Sequence, residues 1–152
     1  MLHRNRRRLL SIAAALAAAV PALAAPIGPA AFDVPVHVLP TDQDSEVSGV
    51  PVACTGIGGT REDPRWAAYP VRVEFSNARA EYLTDAEIVL VNANGKALLK
   101  VRCAAPWVLL RPSAGSYSVH GRLLESGAMP RSAPFKVPAQ GQIRVVLQFP
   151  DA

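Results

Sequence analysis

Two cysteines, two histidines beyond the basic start, two short acidic groups and one glycine cluster are the parts of this chain whose types and spacing could do chemistry. Cys54 and Cys103 are its only cysteines. An even pair in an exported chain reads as a disulfide; free thiols and a redox pair are the competing readings, and Cys-x-x-Cys spacing is missing. A zinc site built from both with His37 and His120 would need finger or ribbon spacing, which these scattered positions do not supply. Gly56-Ile57-Gly58-Gly59 could bring backbone N–H groups close to a phosphate, but a dinucleotide loop needs a further glycine at position 61, where Arg61 stands. A flexible or tight turn is expected there. Asp42, Asp44 and Glu46 imitate the first ligands of a calcium loop, whose sixth and twelfth positions would then be Val47 and Ala53 instead of Gly and Glu. They read as a solvated acidic stretch.

No Gly-x-Ser-x-Gly elbow accompanies the histidines, and His120 alternates outward on an expected strand. Glu81, Asp85 and Glu87 read as surface charge, since closeness in sequence does not make an acid/base pair. No catalytic residue, metal ligand or cofactor is therefore assigned. Trp66, Tyr69, Tyr82 and Trp107 are the aromatics able to build a recognition surface, and Trp66 and Tyr82, near expected loops, are candidates for exposure. Tyr69 is expected in the core. The weak candidates for binding are Trp66, Tyr82 and His120.

The elements that would position these residues begin after a leader. Residues 1–24 have a basic start, an apolar run from Leu9 to Val20 and Ala22-Leu23-Ala24, the pattern of a cleaved signal peptide. The run of about a dozen residues falls short of the ~20 that span a bilayer, so no membrane span is expected after cleavage. Arg6-Arg7-Arg8-Leu9-Leu10 also fits a loose twin-arginine pattern. The leader arginines carry the whole formal charge of +4; beyond them 12 acidic residues meet an equal number of basic ones. A neutral folding part excludes a basic nucleic-acid footprint. The expected location is periplasmic or secreted.

Residues 25–49 are rich in proline and end in the acidic Thr41–Glu46 stretch, which predicts a flexible arm with a short edge strand at Val34–Val38. Beyond it apolar residues recur with period two. Tyr69, Val71, Val73 and Phe75 alternate with polar neighbours. Glu87–Val91 and Ala97–Arg102 flank Asn92-Ala93-Asn94-Gly95 as a hairpin. Val47–Val52, Trp107–Leu110, Tyr117–Leu123, Ala133–Val137 and Gln142–Phe149 supply the other strands. Asp63-Pro64-Arg65-Trp66-Ala67-Ala68 reads as a single helical turn, capped by Asp and started by Pro. The fold class is all-β, an antiparallel Ig-like or prealbumin-like sandwich of about seven strands over residues 50–152.

Pro112-Ser113-Ala114-Gly115-Ser116-Tyr117-Ser118-Val119 resembles the Leu-Pro-x-Gly-x-Tyr-x-Val turn and strand of carboxypeptidase-regulatory-like domains, the transthyretin-like and Cna-B-type sandwiches of small exported proteobacterial proteins. Tyr69–Phe75, Tyr82–Ile88 and Ala105–Leu110 follow the same order, over roughly residues 54–149. The resemblance implies a structural or binding module without a catalytic residue. Transthyretin-like hydrolases of 5-hydroxyisourate end in Tyr-Arg-Gly-Ser, whereas this chain ends Phe149-Pro150-Asp151-Ala152. The expectation is a non-catalytic binding or scaffolding module of the cell envelope, with a protein or glycan partner met by loops or by strand addition. The competing expectation is a small-molecule binder or hydrolase with a site among the Gly56–Trp66 loop, Tyr82 and His120, which requires those groups to converge.

Overall fold

A computed structural model describes residues 33–152. The expected signal peptide and the first part of the arm lie outside the described residues. The rest forms ten strands: β1 (Val36–Val38), β2 (Asp44–Val47), β3 (Val50–Thr55), β4 (Val71–Ser76), β5 (Ala86–Asn92), β6 (Ala97–Cys103), β7 (Trp107–Leu110), β8 (Ser116–Leu123), β9 (Arg131–Lys136) and β10 (Ile143–Gln148). They make two five-stranded sheets. Sheet A has the order β1-β6-β5-β8-β9 and sheet B the order β10-β4-β7-β3-β2.

The all-β sandwich follows from the alternation. Val71, Val73 and Phe75 on β4, Ile88 and Leu90 on β5, Val108 and Leu110 on β7, and Leu147 on β10 all point into one core between the sheets. The β5–β6 hairpin forms as expected, with Gly95 at φ 79° and the Asn92 side chain accepting from the N–H groups of Asn94 and Lys96. Gly121 faces inward on β8. A Cβ there would meet the Leu147 side-chain methyl at 2.5 Å, so any larger residue requires that side chain to shift. A disulfide joins Cys54 on β3 to Cys103 on β6 and so ties sheet B to sheet A through the core, with Cα atoms 5.4 Å apart. It is the pairing expected from the sequence, and it is compatible with an oxidising compartment.

Three expectations need correction. The strand count is ten, with two parallel pairs, β1–β6 and β4–β10, beside the antiparallel ones. The arm is only partly an arm: the short edge strand falls at β1, and the acidic stretch becomes β2 because Asp44 and Glu46 can face solvent while Val47 enters the core. The run Val47–Val52 is two strands. Ser48 (φ 52°) and Gly49 (φ 77°) form a two-residue turn with both φ positive, which the apolar run concealed.

Candidate functional site

The connection from Thr55 to Pro70 does not leave the sandwich. It folds back over the outer face of sheet B as two 3-10 turns, Gly58–Glu62 and Pro64–Ala68. Asp63 caps the second by accepting from Arg65 N–H at 3.0 Å, and Pro64 occupies its first position, as the sequence predicts. Gly56 starts the fold-back at φ +106°, with its backbone against the Trp107 indole. A Cβ there would sit 2.7 Å from the ring. Trp66 and Tyr69 then cover Ala53 and Leu109, making a second, smaller core outside the sheet. The Gln142 amide secures it by donating to the carbonyls of Trp66 (2.9 Å) and Tyr69 (2.8 Å).

Two sequence expectations change with this fold-back. Trp66 is buried, only 4% exposed, and its indole N–H donates to the Thr60 carbonyl at 2.7 Å. Tyr69 is buried, but on the opposite face of sheet B from Val71, Val73 and Phe75, because the regular strand begins only after Pro70. Its hydroxyl donates to Asp44 at 2.5 Å. Burial first, and then that carboxylate, push the Tyr69 phenol from 10.0 up to about 12. Asp42 likewise accepts from the Thr55 hydroxyl, so two of the three residues that imitate a calcium loop serve as hydrogen-bond acceptors inside the fold. Among the described residues no group of His, Cys, Asp or Glu side chains could hold a metal ion.

Around this second core, arginines lie on aromatic rings. The Arg72 guanidinium is 4.4 Å from the Trp107 ring centre, Arg65 4.1 Å from Trp66, Arg61 4.8 Å from Tyr82 and 5.7 Å from Trp107, and Arg111 5.4 Å from Tyr69. Tyr82 meets Trp107 edge-on at 5.9 Å. Cation–π attraction favours these placements, and Arg65 is further held by the Asp42 carbonyl at 2.7 Å and the Asp63 carboxylate at 2.9 Å. Arg72 on β4 and Arg144 on β10 stand directly opposite, a repulsive pair. The buried Glu74 carboxylate offsets it, taking both bonds of the Arg144 fork (3.0 and 2.6 Å) and lying 2.8 Å from Arg72 Nε. That carboxylate holds the Arg144 pKa above its ordinary value. Arg61 has a different set of neighbours: its Nε–H donates to the Gly56 carbonyl, and its cation lies over the two rings.

Between the fold-back and the sheet runs a groove of about 340 Å³, lined by Arg61, Arg72, Trp66, Trp107, Leu109 and Gln142, with Glu62 and Asp63 on its rim. Among the described residues, three buried side-chain donors have no hydrogen-bond acceptor: Arg72 Nε and Trp107 Nε1, of residues that line this groove, and Arg131 Nε, of a residue that lines a cavity on sheet A. The Arg72 Nε contact with Glu74 is close but out of line for a hydrogen bond.

His120 is elsewhere. It lies half-buried on the outer face of sheet A, with Nε2 3.1 Å from the Ser118 hydroxyl, and burial lowers its pKa. Glu87, Val89, Lys100 and Arg131 line a cavity of about 370 Å³ beside it. Glu87 is not the surface charge expected: it is 3% exposed, with Arg102 at 2.9 Å, Arg122 at 3.0 Å and Lys100 at 3.8 Å. Burial raises its pKa, the bonds from Arg102 and Arg122 outweigh that, and the net shift is downward. The fold therefore gathers the Gly56–Trp66 loop and Tyr82, which is 39% exposed, on one face and puts His120 on the other. The three-part site does not assemble.

The sequence does not mark Arg61, Arg72 or Glu74 as site residues, and it offers Trp107 as one of four recognition aromatics without setting it among the binding candidates. The available signal was the polar alternation Arg72–Glu74 beside an aromatic strand; what it lacked was the fold-back that brings Arg61 and Tyr82 onto the same ring. Neither the models of known protein families nor the curated proteins include a match to this chain. Among the described residues no helix is long and apolar enough to cross a membrane.

Proposed function

We propose that this protein is an exported, non-catalytic binding module of the cell envelope and that it binds through the outer face of sheet B. The observation that carries this reading is the set of guanidinium groups laid on Trp66, Trp107, Tyr69 and Tyr82 about the fold-back, of which Arg61, Arg72, Trp66 and Trp107 line one groove. Stacked arginines and tryptophans are the side chains that dominate recognition surfaces, because they present large area and a fixed donor fork at little entropic cost. The leader pattern, the disulfide and the resemblance to carboxypeptidase-regulatory-like sandwiches support the compartment and the non-catalytic role. Strand addition is the weaker route. Of the four edge strands, β1 and β2 have only three and four residues and β9 carries Pro134, which leaves β10, six residues without proline, as the one edge suited to it.

The test is site-specific photocrosslinking in the producing cell, with benzoylphenylalanine in place of exposed Ala67 on the groove or of exposed Ser132 on the opposite face. A discrete adduct from position 67, absent from position 132 and lost on adding Arg61→Ala, is the expected result. Equal labelling from both positions, or none from position 67 across growth conditions, would overturn the reading.

A further inference from the structure

We infer that β10 is a self-association edge: two copies of this chain pair their β10 strands antiparallel about a two-fold axis and so join their two sheets B into one. A sheet edge is a row of unpaired backbone groups, and native folds blunt it with short strands, proline, bulges or charge. Three of the four edges here are blunted in this way: β1 has three residues, β2 has four and carries Asp44 and Glu46, and β9 carries Pro134 and Lys136. The fourth is not. β10 runs for six residues without proline or lysine, in unbroken register with β4 from Ile143 to Gln148. The Ile143 N–H donates to the Pro70 carbonyl at 2.9 Å and the Phe149 N–H to the Ser76 carbonyl at 2.7 Å, so the odd-numbered residues direct their backbone groups at β4. Arg144, Val146 and Gln148 therefore turn theirs to the open edge.

The side chains along this edge leave it accessible and make it self-complementary. Glu74 draws the Arg144 guanidinium towards β4 (3.0 and 2.6 Å), and the Gln148 amide donates to the Asn77 carbonyl at 3.3 Å. Both lean away from the open backbone. Val146 between them is 46% exposed, an apolar side chain in the middle of a regular strand. A two-fold axis beside Val146 sets it against Val146 of the partner subunit and sets Arg144 against Gln148 of the partner subunit. In that register the outward N–H and C=O groups of all three residues bond across the junction. A slip of two residues takes one of the three beyond the paired strand, and a slip that opposes the two Arg144 side chains sets like charges together. Arg144 is the strand's one charged residue and Glu74 answers it, so two copies meet without a bare cation on either side. A segment of another protein would have to supply the matching apolar residue by chance, whereas a second copy supplies it by symmetry. One strand pair covers less than a standard interface of about 1,600 Å², so the expected dissociation constant is micromolar, about 1–100 μM.

Analytical ultracentrifugation of the mature protein across about 1 to 300 μM tests this, and a reversible monomer–dimer equilibrium is the expected result. Val146→Lys, at an exposed position, should weaken the dimer at least about tenfold and leave urea unfolding of the monomer unchanged. Gln148→Glu should tighten it about threefold or more, since each new carboxylate faces Arg144 of the partner subunit, and Gln148→Arg should weaken it. These two variants decide the matter if Val146→Lys fails to fold. Val146→Cys reads the register: paired Cα atoms about 5.5 Å apart lie within disulfide reach, so oxidation should give a covalent dimer. Ser132→Cys, exposed on sheet A, should not. A monomer at every concentration, a dimer indifferent to the substitutions at 146 and 148, or equal crosslinking from both cysteine variants would each overturn the inference. A monomer would leave the groove reading standing, because that reading asks nothing of β10.

Discussion

The two outer faces of the sandwich solve one electrostatic problem in two ways. Each buries a glutamate on an inner strand of its sheet, Glu87 on β5 and Glu74 on β4, and each grips it with arginines: Arg102 and Arg122 from the two neighbouring strands for Glu87, and Arg144 from β10 with Arg72 of β4 itself for Glu74. On sheet A the cross-strand register alone suffices, because Glu87 stands directly between Arg102 and Arg122. The carboxylate is answered from both sides and the face needs no cover. On sheet B the fold-back lays aromatic rings over the strands, stacks arginines on those rings and leaves two buried donors without acceptors. One face commits Arg102 and Arg122 to its own carboxylate; the other divides its arginines between a carboxylate and aromatic rings, and each face keeps at least one buried donor without an acceptor.

The sharpest way to break this contrast is Trp107→Ala. It removes the ring that Arg61, Arg72 and Tyr82 all rest on, and we expect urea unfolding to show a loss of about 3–5 kcal/mol. Val89→Ala, which empties a buried position on the outer face of sheet A, should cost no more than about 2 kcal/mol. Equal costs would mean that the fold-back adds nothing to sheet B.

The second prediction separates the faces by acid. The Glu87 pKa is lowered in the fold, so its contribution is complete above its ordinary value of 4.5 and is lost as the pH falls through the lower folded value. Glu87→Gln should cost about 2 kcal/mol at neutral pH, where the carboxylate's charge-assisted bonds are removed. It should also flatten the acid limb of stability against pH in urea titrations. A wild-type acid limb that survives the substitution would remove Glu87 as its source.

The smallest effect is the alkaline counterpart on sheet B. Tyr69 is raised from 10.0 to about 12, so its contribution is complete below pH 10 and is lost as the pH rises towards 12. Tyrosinate absorbance should show one late-titrating ring that Tyr69→Phe abolishes, and the loss of the bond to Asp44 should cost about 1 kcal/mol at neutral pH. A ring ionising near 10 would show that the fold-back opens before the core does.

Local chemistry made much of this protein readable in advance. Period-two alternation placed Val71, Val73, Phe75, Val119 and Leu147 in a common core, Asn94-Gly95 marked the hairpin, and Asp63-Pro64 marked the one capped turn, because each depends only on neighbours within a few residues. The cysteine pair suggested its own bond, which proximity of β3 and β6 then allowed. What the sequence alone could not decide is which polar strand positions would be covered. Trp66 and Tyr82 looked alike beside their loops, yet one is buried on Ala53 and Leu109 and the other meets Arg61 at the rim. Glu74 and Glu87 read as outward polar residues, and they do point outward; their burial comes from arginines on strands far away in sequence. His120 and Tyr82 were free to share a site until sheet order set them on opposite faces. Alternation fixes the side of a strand on which a residue lies, while only the packing of distant segments fixes what stands above it, and here that second fact separates an open face from a covered one.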